Sequence, residues 1–120
     1  MDKTEIHDHL LSFPNTELDF PFGDEVAVYK VKMVDDMKMF ALIPENRQPL
    51  QISLKCDPNL AVILREKYET VLEGYHLNKK HWNTILLTGQ LEDQDVKDMI
   101  VHSYNLVIGN KDGVPDFATT

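Results

Sequence analysis

Among its 120 residues the sequence has a single cysteine, Cys56. An internal disulfide is thereby excluded, and a small chain with no cross-link suits a reducing compartment, so a cytoplasmic location is expected. Glycine is scarce at five residues, and they form no phosphate-cradling loop. No apolar run approaches the roughly 20 residues needed to cross a bilayer. Residues 1–9 carry no basic segment leading into an apolar stretch. Neither export nor a membrane partner is expected. Cations are also short, with 12 Lys and Arg against 20 Asp and Glu and a net charge of -8. A field of that sign repels phosphate at long range, although screening beyond roughly 8 Å leaves room for a local basic patch.

What is present is apolar residue in globular proportion, 42% of the chain, spread along most of its length. A chain of this size buries one core without metal or disulfide staples. The expected organisation is a single domain over residues 1–109, with 110–120 a flexible C-terminal tail.

Asp2 followed by Glu5 has the form of a capping box. Ile6, Leu10 and Phe13 then recur at helical spacing up to Pro14, which predicts a first helix. Pro14, Pro21 and Gly23 punctuate a loop in which Phe20 and Phe22 are expected to tuck onto the core. Residues 26–34 and 37–43, separated by Asp35 and Asp36, predict a hairpin. After a turn at 44–49, Leu50, Ile52, Leu54 and Cys56 alternate with Gln51, Ser53 and Lys55, the pattern of a half-buried third strand. Asp57 before Pro58 starts a second helix. Its predicted apolar face is Leu60, Ile63, Leu64, Tyr68 and Val71, with Arg65, Glu66 and Glu69 outside. Residues 84–88 predict a short strand, and Val96, Met99, Ile100, Tyr104 and Val107 mark a last helix. This order describes an α+β fold, an antiparallel sheet with helices packed on one face.

The connector at 73–83, EGYHLNKKHWN, is too distinctive in composition for a generic loop. Together with Pro21-Phe22-Gly23, Lys38-Met39-Phe40-Ala41 and Ser103-Tyr104-Asn105-Leu106-Val107, it resembles the signature of the MmcQ/YjbR family. The resemblance implies a CyaY-like (frataxin-like) α+β fold, also described as a double-wing DNA-binding motif, and hence DNA as a partner. This copy departs from the family pattern at Glu73, where members often carry proline, and at Asp36 and Met37, which stand in place of a glycine.

Two readings of the connector stay open. His76, Asn78, Lys79, Lys80, His81, Trp82 and Asn83 set cations beside an aromatic and amides, a repertoire for holding phosphates and stacking or reading bases. Equally, Trp82 and His76 can pack the loop on the sheet while both lysines are solvated. Lys30, Lys32 and Lys38, with Arg47 and Lys55, lie on the meander or its turn and are expected to form a basic wing, or else to coat a solvent face. A protein partner docking on the same loop is the alternative function.

His7, Asp8 and His9 with Asp2 and Glu5 offer metal-ligand chemistry, but residues two apart on a helix point about 200° away from each other. No metal or other cofactor is expected. His76 and His81 lack an accompanying nucleophile, paired carboxylates or a phosphate loop, and Cys56 falls on the apolar side of its strand, so an enzyme is not expected.

Overall fold

The structure, a computed structural model, describes residues 1–109; the tail expected at 110–120 lies outside the described residues. The capping box at Asp2 and Glu5 is formed and opens helix α1 (Lys3–Leu11), which buries Ile6 and Leu10. The helix stops at Leu11, short of Pro14, and Phe13 packs against the core from beyond it.

The next stretch is not the plain loop that its prolines predict. It contains an edge strand, β1 (Thr16–Asp19), and Phe20 and Phe22 are 39% and 63% exposed rather than tucked in. In β1 only Leu18 packs against the main core, and the chain beyond Asp19 leaves the sheet through a turn at Gly23, whose φ of +101° favours glycine. Among the described residues neither ring joins a core cluster.

The predicted meander is present as β2 (Val26–Lys32), β3 (Met37–Pro44) and β4 (Gln51–Lys55). In β4 the polar residues do not face solvent as the alternation suggests, because Gln51 and Ser53 are buried along with Ile52 and Leu54. The Asp57 carboxylate accepts from the N–H groups of Asn59 and Leu60 and caps helix α2 (Pro58–Lys67). This helix is shorter than its apolar spacing predicts. Val71 belongs instead to strand β5 (Val71–Glu73), and Ile63 is exposed while Ala61 takes the buried position. Strand β6 (Trp82–Leu86) starts two residues before the predicted one and so takes Trp82 and Asn83 out of the loop. Helix α3 (Asp93–Ile108) buries all five residues of its predicted stripe and ends at Gly109 in the left-handed region.

The six strands form one antiparallel sheet in the order β1-β2-β3-β4-β6-β5. One face carries the main core: Tyr29, Val31, Phe40, Ile43, Ile52, Leu54 and Ile85 pack with Ile6 and Leu10 of α1, Leu60 and Leu64 of α2, and Ile100 and Tyr104 of α3. The other face has a smaller cluster of Val28, Leu42 and Trp82, with Val26, Met39 and Leu77 against it.

A bulge joins sequence to topology here. Tyr29 pairs with Ala41 but Lys30 pairs with Met39, which leaves Phe40 without a partner on β2. On the other side, β3 and β4 pair only at Ala41 with Leu54 and Leu42 with Ser53. Ser103 of α3 fills the opening. Its hydroxyl donates to the Phe40 carbonyl at 2.6 Å and accepts from the Lys55 N–H at 2.9 Å, so a side chain completes the ladder where the strands have parted. Tyr104 donates to the Pro14 carbonyl at 2.7 Å, tying α3 to the chain after α1. Two residues of the 103–107 motif are thus accounted for by the fold.

Candidate ligand-binding cleft

Residues 74–81 connect β5 to β6, and three local constraints lay them over the second face of the sheet. Gly74 passes so close to Trp82 that an added Cβ would sit 2.7 Å from the Trp82 Cβ and 3.0 Å from its carbonyl oxygen, so only glycine fits. Leu77 drops onto Val28, Leu42 and Trp82 and anchors the loop by an apolar contact. Asn78 closes the return: its carbonyl accepts from His81 and Trp82, and its side chain accepts from the Lys80 N–H at 2.9 Å.

From the α2 side, Arg65 donates to the Lys79 carbonyl at 3.0 Å and to Asn83 Oδ1 at 2.8 Å. The Asn83 amide in turn donates to the Ala61 carbonyl at 3.2 Å. Arg65 therefore clamps the end of the loop instead of lying outside in solvent, as helical spacing alone predicts.

The loop leaves part of the second face open, and there a cleft of about 620 Å³ forms, within the ordinary range for a small-molecule site. Leu42 and Ser53, on the central strands β3 and β4, lie beneath it. Phe22, Glu25 and Val26 approach from the β2 side, Pro44, Asn46 and Arg47 from the β3–β4 turn, and Tyr75, His76 and Leu77 from the β6 side. Three inter-strand spacings separate β2 from β6, roughly 14 Å in all.

Polar groups at the base are fixed. Ser53 Oγ and Thr84 Oγ1 share a buried hydrogen bond of 2.7 Å, and Thr84 also accepts from the Tyr75 N–H at 3.0 Å. At the rim, the Arg47 guanidinium lies 4.1 Å from the centre of the Tyr75 ring and donates to the Tyr75 hydroxyl. The His76 ring sits 4.0 Å from the same ring on its other neighbour, and His76 adopts a left-handed φ of +56°. Non-glycine residues adopt that conformation infrequently, and here it belongs to the turn that presents His76 at the cleft. Among the described residues Arg47 forms no ion pair.

The structure disperses the residues singled out from the sequence. Lys30 pairs with Asp19 at 3.1 Å and Lys79 with Glu73 at 3.4 Å. Register places Lys30, Lys32 and Lys55 on the second face, whereas Lys38 lies opposite Val31 and so points to the helix-bearing face. The bulge at Phe40 is the reason, since it shifts the pairing on one side of it by a residue. Trp82 is only 6% exposed and Asn83 is buried beneath α2. His81 contributes its carbonyl to the Cys56 N–H. Lys80 is exposed, and Asn78 organises the turn. Of the residues proposed from the sequence to hold nucleic acid, only His76 lines the cleft.

Besides His76, the cleft gathers Arg47 of the expected wing and Phe22, expected on the core, together with residues such as Ser53 and Tyr75 for which the sequence predicts no binding role. Phe22 and Tyr75 lie inside the quoted motifs, and that was the available signal; Ser53 carried none.

Elsewhere, His7 Nδ1 is 2.9 Å from the Tyr29 hydroxyl and His9 stacks edge-on against Phe13, so the two imidazoles face different partners. Among the described residues no cluster of three or more His, Cys, Asp or Glu is placed to hold a metal ion. Burial, with Asp57 alongside, pushes the Cys56 thiol up to about 12, far from a thiolate at neutral pH. No helix of the described residues is long and apolar enough to cross a membrane.

Comparison with known proteins agrees with this architecture. The YjbR family model matches residues 11–106. The uncharacterised protein YbdF of Escherichia coli O157:H7 is 35% identical over 112 residues, covering 90% of this chain and 88% of its own. YjbR of Escherichia coli K12 is 36% identical over 75 residues, covering 62% and 63%. The crystal structure of the Deinococcus radiodurans protein DR2400, of domain family DUF419, superposes with a TM-score of 0.82 at 34% identity, covering 96% of this chain and 83% of that one. A Pseudomonas syringae protein gives 0.72 at 29% identity, covering 88% and 98%.

Proposed function

This chain belongs to the YjbR family, and from what its signature residues build we propose that it is a binding module, not a catalyst, working through the cleft on the second face of the sheet. The observation that carries this is the convergence of the signature loop on a cavity: Gly74 and Leu77 hold the loop down, and Tyr75 and His76 form a wall with Arg47. Of the loop's other polar side chains, Asn78 organises the turn and Lys79 pairs with Glu73 at the surface.

Equilibrium dialysis of the protein against a small-molecule cell extract, followed by mass spectrometry, tests the reading. Native protein should retain at least one compound that the cleft-filling variant Val26→Trp loses. Equal retention by both, or by neither, rejects it.

DNA remains the second reading, favoured by Lys30, Lys32 and Lys55 sharing the second face. Against it stand the net charge of -8, the pairing of Lys30 with Asp19 and the burial of Trp82, which removes the stacking platform. Anisotropy titrations with labelled single-stranded and duplex DNA at low salt decide this point. Binding that weakens steeply with salt restores DNA as the ligand, and flat curves at high protein concentration remove it.

A further inference from the structure

Arg47 is an unusual feature of this molecule. In a chain with 20 acidic side chains to 12 basic ones, its guanidinium stands at a cavity mouth with no carboxylate paired to it among the described residues. It is also held in place. Stacking on Tyr75 and a hydrogen bond to the Tyr75 hydroxyl fix the plane of the group while using one of its five N–H donors. A guanidinium fixed in that way presents a ready fork for a planar carboxylate, and the ordering entropy of the side chain is already met.

The rest of the cleft limits what can accompany that carboxylate. Val26, Leu42, Pro44 and Leu77 supply apolar surface, and the roughly 14 Å from β2 to β6 admits a body of several carbons lying across β3 and β4. Glu25 on the β2 side and the surplus negative charge of the protein act against a ligand with several charges. One anionic group at the Arg47 end and an uncharged body toward Phe22 satisfy both conditions.

We propose that the cleft binds a small organic monocarboxylate, with its carboxylate on Arg47 and its apolar body over Leu42, Val26 and Leu77. This rests on the cleft being the working surface and adds the chemistry of the ligand. Aryl and alkyl acids share that chemistry, so both are tested.

The experiment titrates the full chain with 3-phenylpropionate and with octanoate, each beside its neutral amide, and with AMP and inorganic phosphate, following backbone amide shifts and affinity. At least one acid should shift Ser53, Tyr75, His76 and Leu77 and bind at least about tenfold more tightly than its amide, a difference of about 1.4 kcal/mol. Whichever acid does so identifies the body as aryl or alkyl. Arg47→Gln, an exposed rim substitution, should erase the acid-over-amide preference by weakening the acid far more than the amide.

Equal affinity of acid and amide, an Arg47→Gln variant that keeps the preference, or tighter binding of AMP or phosphate each overturns the inference. The two levels separate cleanly. Amides that bind in the cleft and are blocked by Val26→Trp, with no gain from a carboxylate, sink the ligand class and leave the cleft reading standing. No shift with any probe also sinks the ligand class, and the cleft reading falls with it only if dialysis finds no compound that native protein retains and Val26→Trp loses.

Discussion

The two faces of this sheet are built from the same strands and do opposite things. On the helix-bearing face Phe40, Ile43, Ile52, Ile85 and Ile100 are at most 1% exposed, and the polar groups that enter, such as the Ser103 hydroxyl, arrive with partners. Among the described residues no helix packs over the second face; a short loop covers part of it and leaves a cleft with aromatic and cationic rims. Burial therefore concentrates stability mainly on one face, and the cleft proposed above as the binding site lies on the other. A face sealed by three helices has no room to admit a ligand, whereas a face covered by one loop keeps both apolar surface and access.

The contrast is broken most directly by deleting one phenyl ring from each side. Phe40→Ala should destabilise by roughly 3 to 5 kcal/mol, the usual cost of truncating a buried aromatic. Phe22→Ala should stay within about 0.5 kcal/mol, as for an exposed position. Urea unfolding monitored by circular dichroism reads both, and equal losses would mean that the second face is as structural as the first.

Ser103→Ala follows in size. It strips the Phe40 carbonyl and the Lys55 N–H of their shared partner, and each unsatisfied buried group costs about 1 to 3 kcal/mol. A loss under about 1 kcal/mol in the same unfolding assay would show that β3 and β4 close directly without the hydroxyl.

Gly74→Ala tests the second face. The new methyl would meet the Trp82 Cβ and carbonyl, neither of them a flexible chain end, so the loop must shift, at about 1 to 3 kcal/mol. The emission of Trp82, the protein's sole tryptophan, should change with it. Unchanged emission would mean that the loop is not pinned at that point.

These expectations also show where sequence was a sufficient guide. Periodicity found the five apolar residues of the buried α3 stripe, though not the buried His102 and Ser103 beside them, because that stripe packs on one continuous core and follows the 3.6-residue repeat. Capping chemistry located the starts of α1 and α2 because an Asp beside free N–H groups acts locally.

Failures came where tertiary contacts override the local signal. β1 and β5 are strands because a neighbouring edge is available to pair with them, and four residues or three are too few to show alternation. Lys38 cannot be assigned a face without knowing of the bulge, whose Phe40 carbonyl is bonded by a serine 63 positions away. Composition leaves Trp82 open between recognition and packing and offers Asn83 for recognition; β6 starts early and takes both inside. The cleft was illegible for the same reason: Phe22, Arg47, Ser53 and Tyr75 come from four separate segments.

The smallest effect probes the rim of the sealed face. His9 of α1 lies at its edge, where Nε2 is buried with no hydrogen-bond partner among the described residues, and burial, assisted by Lys97, lowers its pKa below the ordinary 6.5. Between the folded and unfolded values the native state binds fewer protons than the unfolded chain, so stability falls as pH falls. The contribution of neutral His9 should be fully present above 6.5, decline as the pH drops through 6.5 toward the lower folded value, and level off below that. Urea midpoints for native protein and His9→Gln, compared from pH 8 to pH 5, should converge or cross over that interval, since the glutamine has no proton to take up. Curves that stay parallel would mean that the α1 edge admits water and the imidazole titrates there as it does in the unfolded chain, moving the boundary of the sealed face inward to Leu10.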